Sequence, residues 1–291
     1  MRTLLLVLCI CCCCVPADAA SFGIALTPAP VLNTPAFSSV FGGSDRKTLK
    51  TDRCGQVRAL EFIALPGTVF TIRGETHDGA ATVFQVETDD YPMPAEARLY
   101  VDSRYVELRG EKPVPRARKL PPATEVVSAL KRSIGSPYVW GGNLQGGVNE
   151  LLEMFYGSGV PAEKRHQLTL AGLDCSGLLY QATGGWTPRN TSLLVSYGQG
   201  VPIAGKSAEA IARLLEPLDL IVWNGHVVIV LDRETVIESR LECRKPGNGG
   251  VMTTALRKRL AEILRTRRPL DDWPNAGKQG DVFVVRRWFV P

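Results

Sequence analysis

Short runs in which hydrophobic and polar residues alternate dominate the first third of the chain. Residues 82–87 follow this two-residue period, residues 68–72 are rich in strand-forming residues, and His77-Asp78-Gly79 between the two runs is typical of a tight turn. Further apolar runs follow at residues 99–101 and 105–108. Several short strands joined by turns predict that residues 20–111 form a small β domain, either a barrel or a sandwich.

Residues 112–122 interrupt this pattern. The segment contains Pro113, Pro115, Pro121 and Pro122, which disfavour a helix and stiffen an extended chain. The sequence therefore predicts a linker over residues 112–122 and a second domain over residues 123–291.

Beyond the linker, the apolar residues first follow a helical period and later fill short strands. Val126, Val127 and Leu130 fall on one face of a helix that Thr124 would cap. Further helices are predicted over residues 148–156, 175–182, 207–215 and 253–267, and strands over residues 219–223, 226–232, 235–239 and 281–289. Helices followed by neighbouring antiparallel strands indicate an α+β fold.

Residues 1–19 have the features of a secretory signal peptide. Arg2 precedes an apolar run over residues 4–15, and Ala17-Asp18-Ala19 supplies a cleavage site of small residues. The apolar run is too short to span a bilayer comfortably. We therefore expect export to the periplasm or cell envelope. The alternative is a lipid anchor on one of the cysteines of this segment, which would attach the protein to a membrane.

Composition and charge narrow the classes of function. The 291 residues are 45% hydrophobic and 22% charged, which is ordinary for one or two globular domains. The formal net charge of +5 is mild and its cations are scattered, which argues against a nucleic-acid partner. Five of the eight cysteines lie in the predicted signal peptide, and Cys54, Cys175 and Cys243 remain. An odd number in an exported protein leaves at least one thiol unpaired or reactive.

Of the three histidines, His226 has the most informative position. His77 lies in a predicted turn and His166 in a polar stretch, so both are expected on the surface. His226 instead opens the apolar strand over residues 226–232. An imidazole at the mouth of a buried strand is held by its backbone and can be reached from a cleft, as a general base must be.

Cys175 lies at the start of a predicted helix, directly after Asp174 and before Ser176 and Gly177. The N–H groups and the dipole of a helix start favour a thiolate, and the small residues that follow leave space for a carbonyl substrate. A cysteine nucleophile and a histidine base are the elements of a thiol acyl-transfer site, in which a third group orients the imidazole.

Four ordered motifs give the second domain a family resemblance. They are residues 135–142 (Gly-Ser-Pro-Tyr-Val-Trp-Gly-Gly), 174–177 (Asp-Cys-Ser-Gly), 187–192 (Thr-Pro-Arg-Asn-Thr-Ser) and 219–230. Over residues 124–239 the chain resembles the NlpC family of bacterial cell-wall cysteine peptidases. The β domain, including residues 100–106, looks like a bacterial SH3-like module. This domain order is similar to that of the γ-D-glutamyl-diaminopimelate endopeptidases, which trim stem peptides.

The resemblance implies a papain-like NlpC catalytic domain of α+β type, preceded by a small SH3-like β-barrel. By position, Cys175 matches the family nucleophile, His226 its base and Glu238 the third polar residue, which is usually histidine. A carboxylate can orient an imidazole and stabilise an imidazolium at least as well. Four more positions match residues that line the substrate groove in similar enzymes: Tyr138, Trp140, Asp174 and Ser176. Neither a cofactor nor a metal is implied.

The same resemblance implies a substrate. We expect hydrolysis of the γ-D-glutamyl–meso-diaminopimelate bond in peptidoglycan stem peptides or muropeptides, through a thioester. An N-acetylmuramoyl-L-alanine amidase, an acyltransferase of the same fold and a non-catalytic wall-binding protein remain open alternatives. In similar two-domain enzymes the SH3-like domain admits only a free N-terminal L-Ala, and Glu61 or Glu87 could hold its ammonium group.

Three other features raise further expectations. Arg189 either supports its own turn or meets a substrate carboxylate, and the supporting role is favoured. Residues 143–172 are an insertion between two motifs and could form a lid or a groove wall. Cys54 and Cys243 could form a disulfide between the two domains.

Overall fold

The fold is described here from a computed structural model over residues 21–94, 96–157, 159–274 and 280–289. The predicted signal peptide, residues 1–19, lies outside the described residues. Within those ranges, no helix combines the length and the apolar character that crossing a bilayer requires.

The N-terminal region, residues 21–111, is built mainly from antiparallel strands. Its strands are β1 (Phe22–Ala25), β2 (Ala29–Leu32), β3 (Phe41–Gly42), β4 (Thr48–Leu49), β5 (Leu60–Ala64), β6 (Val69–Asp78), β7 (Ala81–Glu87), β8 (Leu99–Asp102) and β9 (Val106–Arg109), with a short helix α1 (Phe37–Val40). Seven of them form one sheet in the order β5-β2-β8-β7-β6-β1-β9. Among the described residues β5 and β9 end this path without pairing to each other, so the SH3-like barrel expected from the resemblance is not shown, and the sheet is open.

The C-terminal region, residues 123–289, combines helices with a second antiparallel sheet. Its helices are α2 (Ala123–Arg132), α3 (Glu150–Phe155), α4 (Ala162–Leu168), α5 (Cys175–Ala182), α6 (Thr191–Leu194), α7 (Ala208–Ala212) and α8 (Leu256–Leu264). Its strands are β10 (Asn143–Leu144), β11 (Gly172–Leu173), β12 (Gln199–Gly200), β13 (Leu220–Trp223), β14 (His226–Val230), β15 (Thr235–Leu241), β16 (Gly249–Ala255), β17 (Arg268–Pro269) and β18 (Val282–Arg287). The sheet order is β12-β18-β13-β14-β15-β16. Helices with antiparallel sheets confirm the mixed helical and strand character that the sequence predicts.

Both faces of the second sheet are buried. Successive side chains of a strand point to opposite faces. Val222 and Ile229 accordingly pack in the core that includes helices α2 and α5, whereas Ile221 and Val228 pack in the core that includes α7 and α8. The uninterrupted apolar runs of β13 and β14 are what a sheet covered on both sides requires.

Several predicted helix boundaries differ from the structure, and the starts of α8 and α2 are two of them. The helix expected over residues 253–267 begins only at Leu256, because Thr253 and Thr254 continue β16 and pair with β15. Threonine is β-branched and suits a pleated surface. Thr124 does not cap α2, since Pro122 is the N-cap residue and makes no side-chain cap bond.

The insertion over residues 143–172 packs against the N-terminal region. The Phe155 ring lies against the Phe41 ring, with centroids 5.4 Å apart. Asn143 binds the edge of β5 through both atoms of its amide: Nδ2 donates to the carbonyl of Ile63, and Oδ1 accepts the N–H of Ile63, each at 2.9 Å. The insertion therefore shares one apolar core with the first sheet.

A disulfide joins Cys54, just before β5, to Cys243, just after β15, over a sequence separation of 189 residues. Since such a link removes chain entropy from the unfolded state, Cys243→Ser is expected to lower the free energy of unfolding by about 2–5 kcal/mol. Denaturant unfolding measures this loss. The double variant Cys54→Ser/Cys243→Ser is the control and should not respond to a reducing agent. If a reducing agent does not shift the unfolding midpoint of the unaltered chain, the prediction is wrong.

Candidate active site

Helix α5 begins at Cys175 because the preceding residue caps it. Asp174 Oδ1 accepts the N–H of Gly177 at 2.7 Å, which is an N-cap bond. Gly177 must lack a side chain, because a Cβ there would collide with the carbonyl oxygen of Gly142. Cys175 is the free cysteine of the described part of the chain, and its side chain is buried at the first residue of the helix.

His226 begins β14 and faces two of the predicted catalytic side chains. Its Nε2 lies 2.6 Å from Oε2 of Glu238 on β15. Burial lowers the pKa of His226, but hydrogen bonds to Cys175 and Glu238 and the charges of both groups outweigh it and raise the pKa to about 9. At neutral pH the imidazole can therefore be an imidazolium. The turn before His226 is held by Thr191, whose Oγ1 accepts the N–H of Gly225 at 3.0 Å.

Glu238 is 1% exposed and ionised. Burial raises the pKa of its carboxyl group, whereas hydrogen bonds and charges from His226 and Arg259 lower it to about 2. The structure thus brings Cys175, His226 and Glu238 together in the order thiol, imidazole, carboxylate. This order lets a carboxylate orient the imidazole that in turn serves the thiol.

Cys175 lines a cleft of about 260 Å³ to which both regions contribute. The N-terminal region supplies Glu61, Tyr91 and Met93. Among the described residues, none from the insertion lines this cleft. No three His, Cys, Asp or Glu side chains in the described ranges lie close enough to hold a metal ion.

The four residues predicted for the substrate groove all line this cleft: Tyr138, Trp140, Asp174 and Ser176. Trp140 is 38% exposed, and the Arg58 guanidinium lies 4.3 Å from its ring centroid. Burial raises the pKa of the Tyr138 phenol. The segment is fixed from the N-terminal region, because Gln56 Oε1 accepts the N–H of Trp140 at 2.9 Å.

Arg189 supports the site and has no capacity left for a substrate. Its guanidinium is 2% exposed and donates to both carboxylate oxygens of Asp174 at 3.0 and 2.7 Å and to Ser176 Oγ at 2.8 Å. It also donates to Asn143 Oδ1 at 3.1 Å and to the carbonyl of Gly142 at 3.3 Å. These bonds use all five N–H groups of a guanidinium. Of the two alternatives for Arg189, the geometry supports the structural role.

The two carboxylates considered for ammonium binding lie in different surroundings. Glu61 lines the cleft, and its Oε2 accepts the Tyr91 hydroxyl at 3.1 Å. Glu87 pairs with Arg73 at 2.7 Å, with both side chains more than half exposed. Glu61 alone of the two can meet a molecule bound beside Cys175.

Sequence reasoning missed Tyr91, Met93, Thr191 and Arg259. Tyr91 and Met93 lie in the loop between β7 and β8, where no motif marks them. Thr191 belongs to the motif over residues 187–192, which was a usable signal. Arg259 reaches Glu238 from α8, 21 residues further along the chain. It lies outside the four motifs of the resemblance.

No family model matches this chain, and no curated protein matches it. Among solved structures, an NlpC/P60 family protein from Bacillus cereus ATCC 10987 is 15% identical with a TM-score of 0.33, and the match covers 92% of this chain and 63% of that one. An NlpC/P60 endopeptidase from Photobacterium damselae subsp. piscicida is 13% identical with a TM-score of 0.42, covering 82% of this chain and 67% of that one.

Proposed function

We propose that this chain is a cysteine hydrolase of peptidoglycan stem peptides. The observation that carries the proposal is that Cys175 lines a cleft and acts on the pKa of His226, whose Nε2 lies 2.6 Å from the buried carboxylate of Glu238. A thiol at a helix start, an imidazole and an orienting carboxylate are the parts that thiol acyl transfer needs.

In the proposed reaction, the Cys175 thiolate attacks the γ-carbonyl carbon of D-Glu in the γ-D-glutamyl–meso-diaminopimelate bond. The His226 imidazolium gives its proton to the leaving amine, and the product amine leaves a thioester on Cys175. His226 then takes a proton from water, whose oxygen attacks the thioester and releases the peptide. The backbone N–H of Cys175, at the start of α5, is the candidate donor to the oxyanion.

The choice of substrate rests on the motif resemblance and on the composition of the cleft. The cleft has a carboxylate at Glu61 and aromatic rings at Tyr91 and Trp140. A negative group beside a nucleophile suits a substrate with a nearby ammonium, such as the free N-terminal L-Ala of a stem peptide. Free L-Ala-γ-D-Glu-diaminopimelate is therefore expected to be cut, and intact sacculi poorly.

Glu61→Gln tests this part of the proposal. Loss of the charge is expected to raise the KM for the free tripeptide about tenfold or more, because a hydrogen bond to a charged group is worth about 1.5–3 kcal/mol. Tripeptide acetylated on the L-Ala nitrogen, which lacks the N-terminal ammonium, should show no such change. Glu87→Gln is the matched control, since Glu87 forms its ion pair outside the cleft. Equal effects of Glu61→Gln on both substrates would contradict the ammonium role.

Export is part of the proposal. Residues 1–19 have the pattern of a signal peptide. The Cys54–Cys243 disulfide supports an oxidising compartment, because such bonds persist in the periplasm and outside the cell.

Incubation with purified muropeptides and mass spectrometry of the products tests the reaction. A product with N-terminal diaminopimelate supports the endopeptidase. A free lactyl end on the sugar would instead identify an N-acetylmuramoyl-L-alanine amidase. Transfer of the peptide to an added amine would identify an acyltransferase, and binding without any product would identify a wall-binding protein.

A further inference from the structure

The negatively charged carboxylate of Glu238 is almost completely buried from solvent. Three charged groups face its carboxylate: His226 from β14, Arg240 from its own strand and Arg259 from α8. Arg259 lies close to both oxygens: Nη2 donates to Oε2 at 2.8 Å, and Nε lies 2.7 Å from Oε1 as an ion pair without a hydrogen bond. The Arg259 side chain is 12% exposed, so most of this ion pair is shielded from solvent.

Arg240 does not provide the same contact. Its Nη1 is 3.6 Å from Oε1 of Glu238, and its Nη2 pairs with Glu242 at 2.9 Å. The Arg240 side chain is also 31% exposed, which weakens its pull on a buried charge. Arg259 has one further partner, Glu262 at 3.3 Å on the same helix.

Burying an ionised carboxylate costs free energy, and a carboxylate beside an imidazolium can reduce that cost in two ways. It can keep a counter-charge, or it can take the proton of the imidazolium and leave a neutral pair. The second outcome would remove the imidazolium that the reaction uses to protonate the leaving amine. A guanidinium whose positive charge lies beside both oxygens opposes that proton transfer, and its hydrogen bond to Oε2 holds the carboxylate in place.

We propose that Arg259 is a positioning residue of the active site, which holds Glu238 as an oriented anion for His226 without touching the substrate. This inference rests on the proposed function. It also accounts for a departure from the family pattern: a neutral histidine at position 238 would need no counter-charge, whereas a glutamate does. Helix α8, which lies outside the motifs, supplies that charge.

The test compares Arg259→Met, Arg259→Lys and the control Arg257→Met, with hydrolysis of L-Ala-γ-D-Glu-diaminopimelate followed as a function of pH. Arg257 lies on the same helix and pairs with Glu209 at the surface. We expect Arg259→Met to lower kcat about 10- to 100-fold while KM changes less than about twofold. The acid limb of kcat should move to higher pH, because the pKa of Glu238 rises when the guanidinium is removed. Arg259→Lys should keep the limb in place and recover only part of kcat, since one ammonium cannot span both oxygens.

The inference is overturned if kcat and the acid limb of Arg259→Met match those of Arg257→Met. Thermal melting checks folding, and Arg259→Lys decides the matter if Arg259→Met does not fold: a wild-type kcat in that variant would also overturn the inference. Failure of the proposed function has a different signature. It would appear as no cleavage by the unaltered chain, or as cleavage that survives Cys175→Ala, whereas failure of this inference alone leaves Cys175-dependent cleavage that is insensitive to Arg259.

Discussion

Cys175→Ala is expected to lower the rate of stem-peptide hydrolysis by about 10⁴-fold or more, which is the scale on which nucleophiles of other triads contribute. The sulfur atom is the nucleophile in the proposed mechanism, and alanine offers no atom that can form the thioester. Because Cys175 sits at a helix start whose cap is supplied by Asp174, the variant should fold as the unaltered chain does. Initial rates measured beside thermal melting separate chemistry from stability.

The double variant Cys54→Ser/Cys243→Ser is the control for this loss. It removes the disulfide sulfurs but leaves Cys175, so it should turn over substrate wherever it remains folded. Iodoacetamide should alkylate Cys175, the free cysteine of the described residues, with activity lost in parallel. Hydrolysis by Cys175→Ala at close to the wild-type rate would exclude the cysteine mechanism.

Glu238→Ala is expected to lower kcat by about 10²-fold or more, because the imidazole loses its orienting partner. The sign of the accompanying pH effect follows from the charges. The pKa of His226 is raised to about 9 in part by Glu238, so the imidazolium persists below that pH and is lost as the pH rises through it. Removing the carboxylate lowers the pKa of His226, and the alkaline limb of the pH–rate profile should move to lower pH.

Conservative variants sharpen this prediction. Glu238→Gln keeps an acceptor but loses the charge, so its rate should fall less than that of Glu238→Ala. Glu238→His restores the residue usual in the resembling family and should keep measurable activity. Glu262→Gln, which removes the other carboxylate that contacts Arg259, should leave the alkaline limb in place. If Glu238→Ala keeps the wild-type rate and an unchanged alkaline limb, Glu238 does not orient His226.

The parts of the site that the sequence predicts are those set by local chemistry. The start of α5 follows from an Asp before Cys175 and small residues after it, and β14 follows from the β-branched run after His226. The neighbouring position of β15 follows from the short turn near residue 233. These features depend on residues only a few positions apart, so pattern and capping rules reach them.

The parts that the sequence does not predict depend on long-range packing. Strand β16 contains two glycines and two exposed or half-exposed threonines, and its pairing with β15 decides its conformation. Whether the first sheet closes into a barrel depends on whether its two edge strands pair with each other. The alternation of hydrophobic and polar residues does not encode that pairing. Arg259 reaches Glu238 from α8, far from Cys175 in sequence, and has no motif of its own.

The central claim is that Cys175 cleaves the γ-D-glutamyl–meso-diaminopimelate bond. The most direct measurement is the mass spectrum of products from synthetic L-Ala-γ-D-Glu-meso-diaminopimelate. The account predicts two products from the unaltered chain, L-Ala-D-Glu and free diaminopimelate. Cys175→Ala in the same reaction should leave the tripeptide whole. Release of free L-Ala in place of diaminopimelate, or formation of the predicted products by Cys175→Ala at the wild-type rate, would contradict the account.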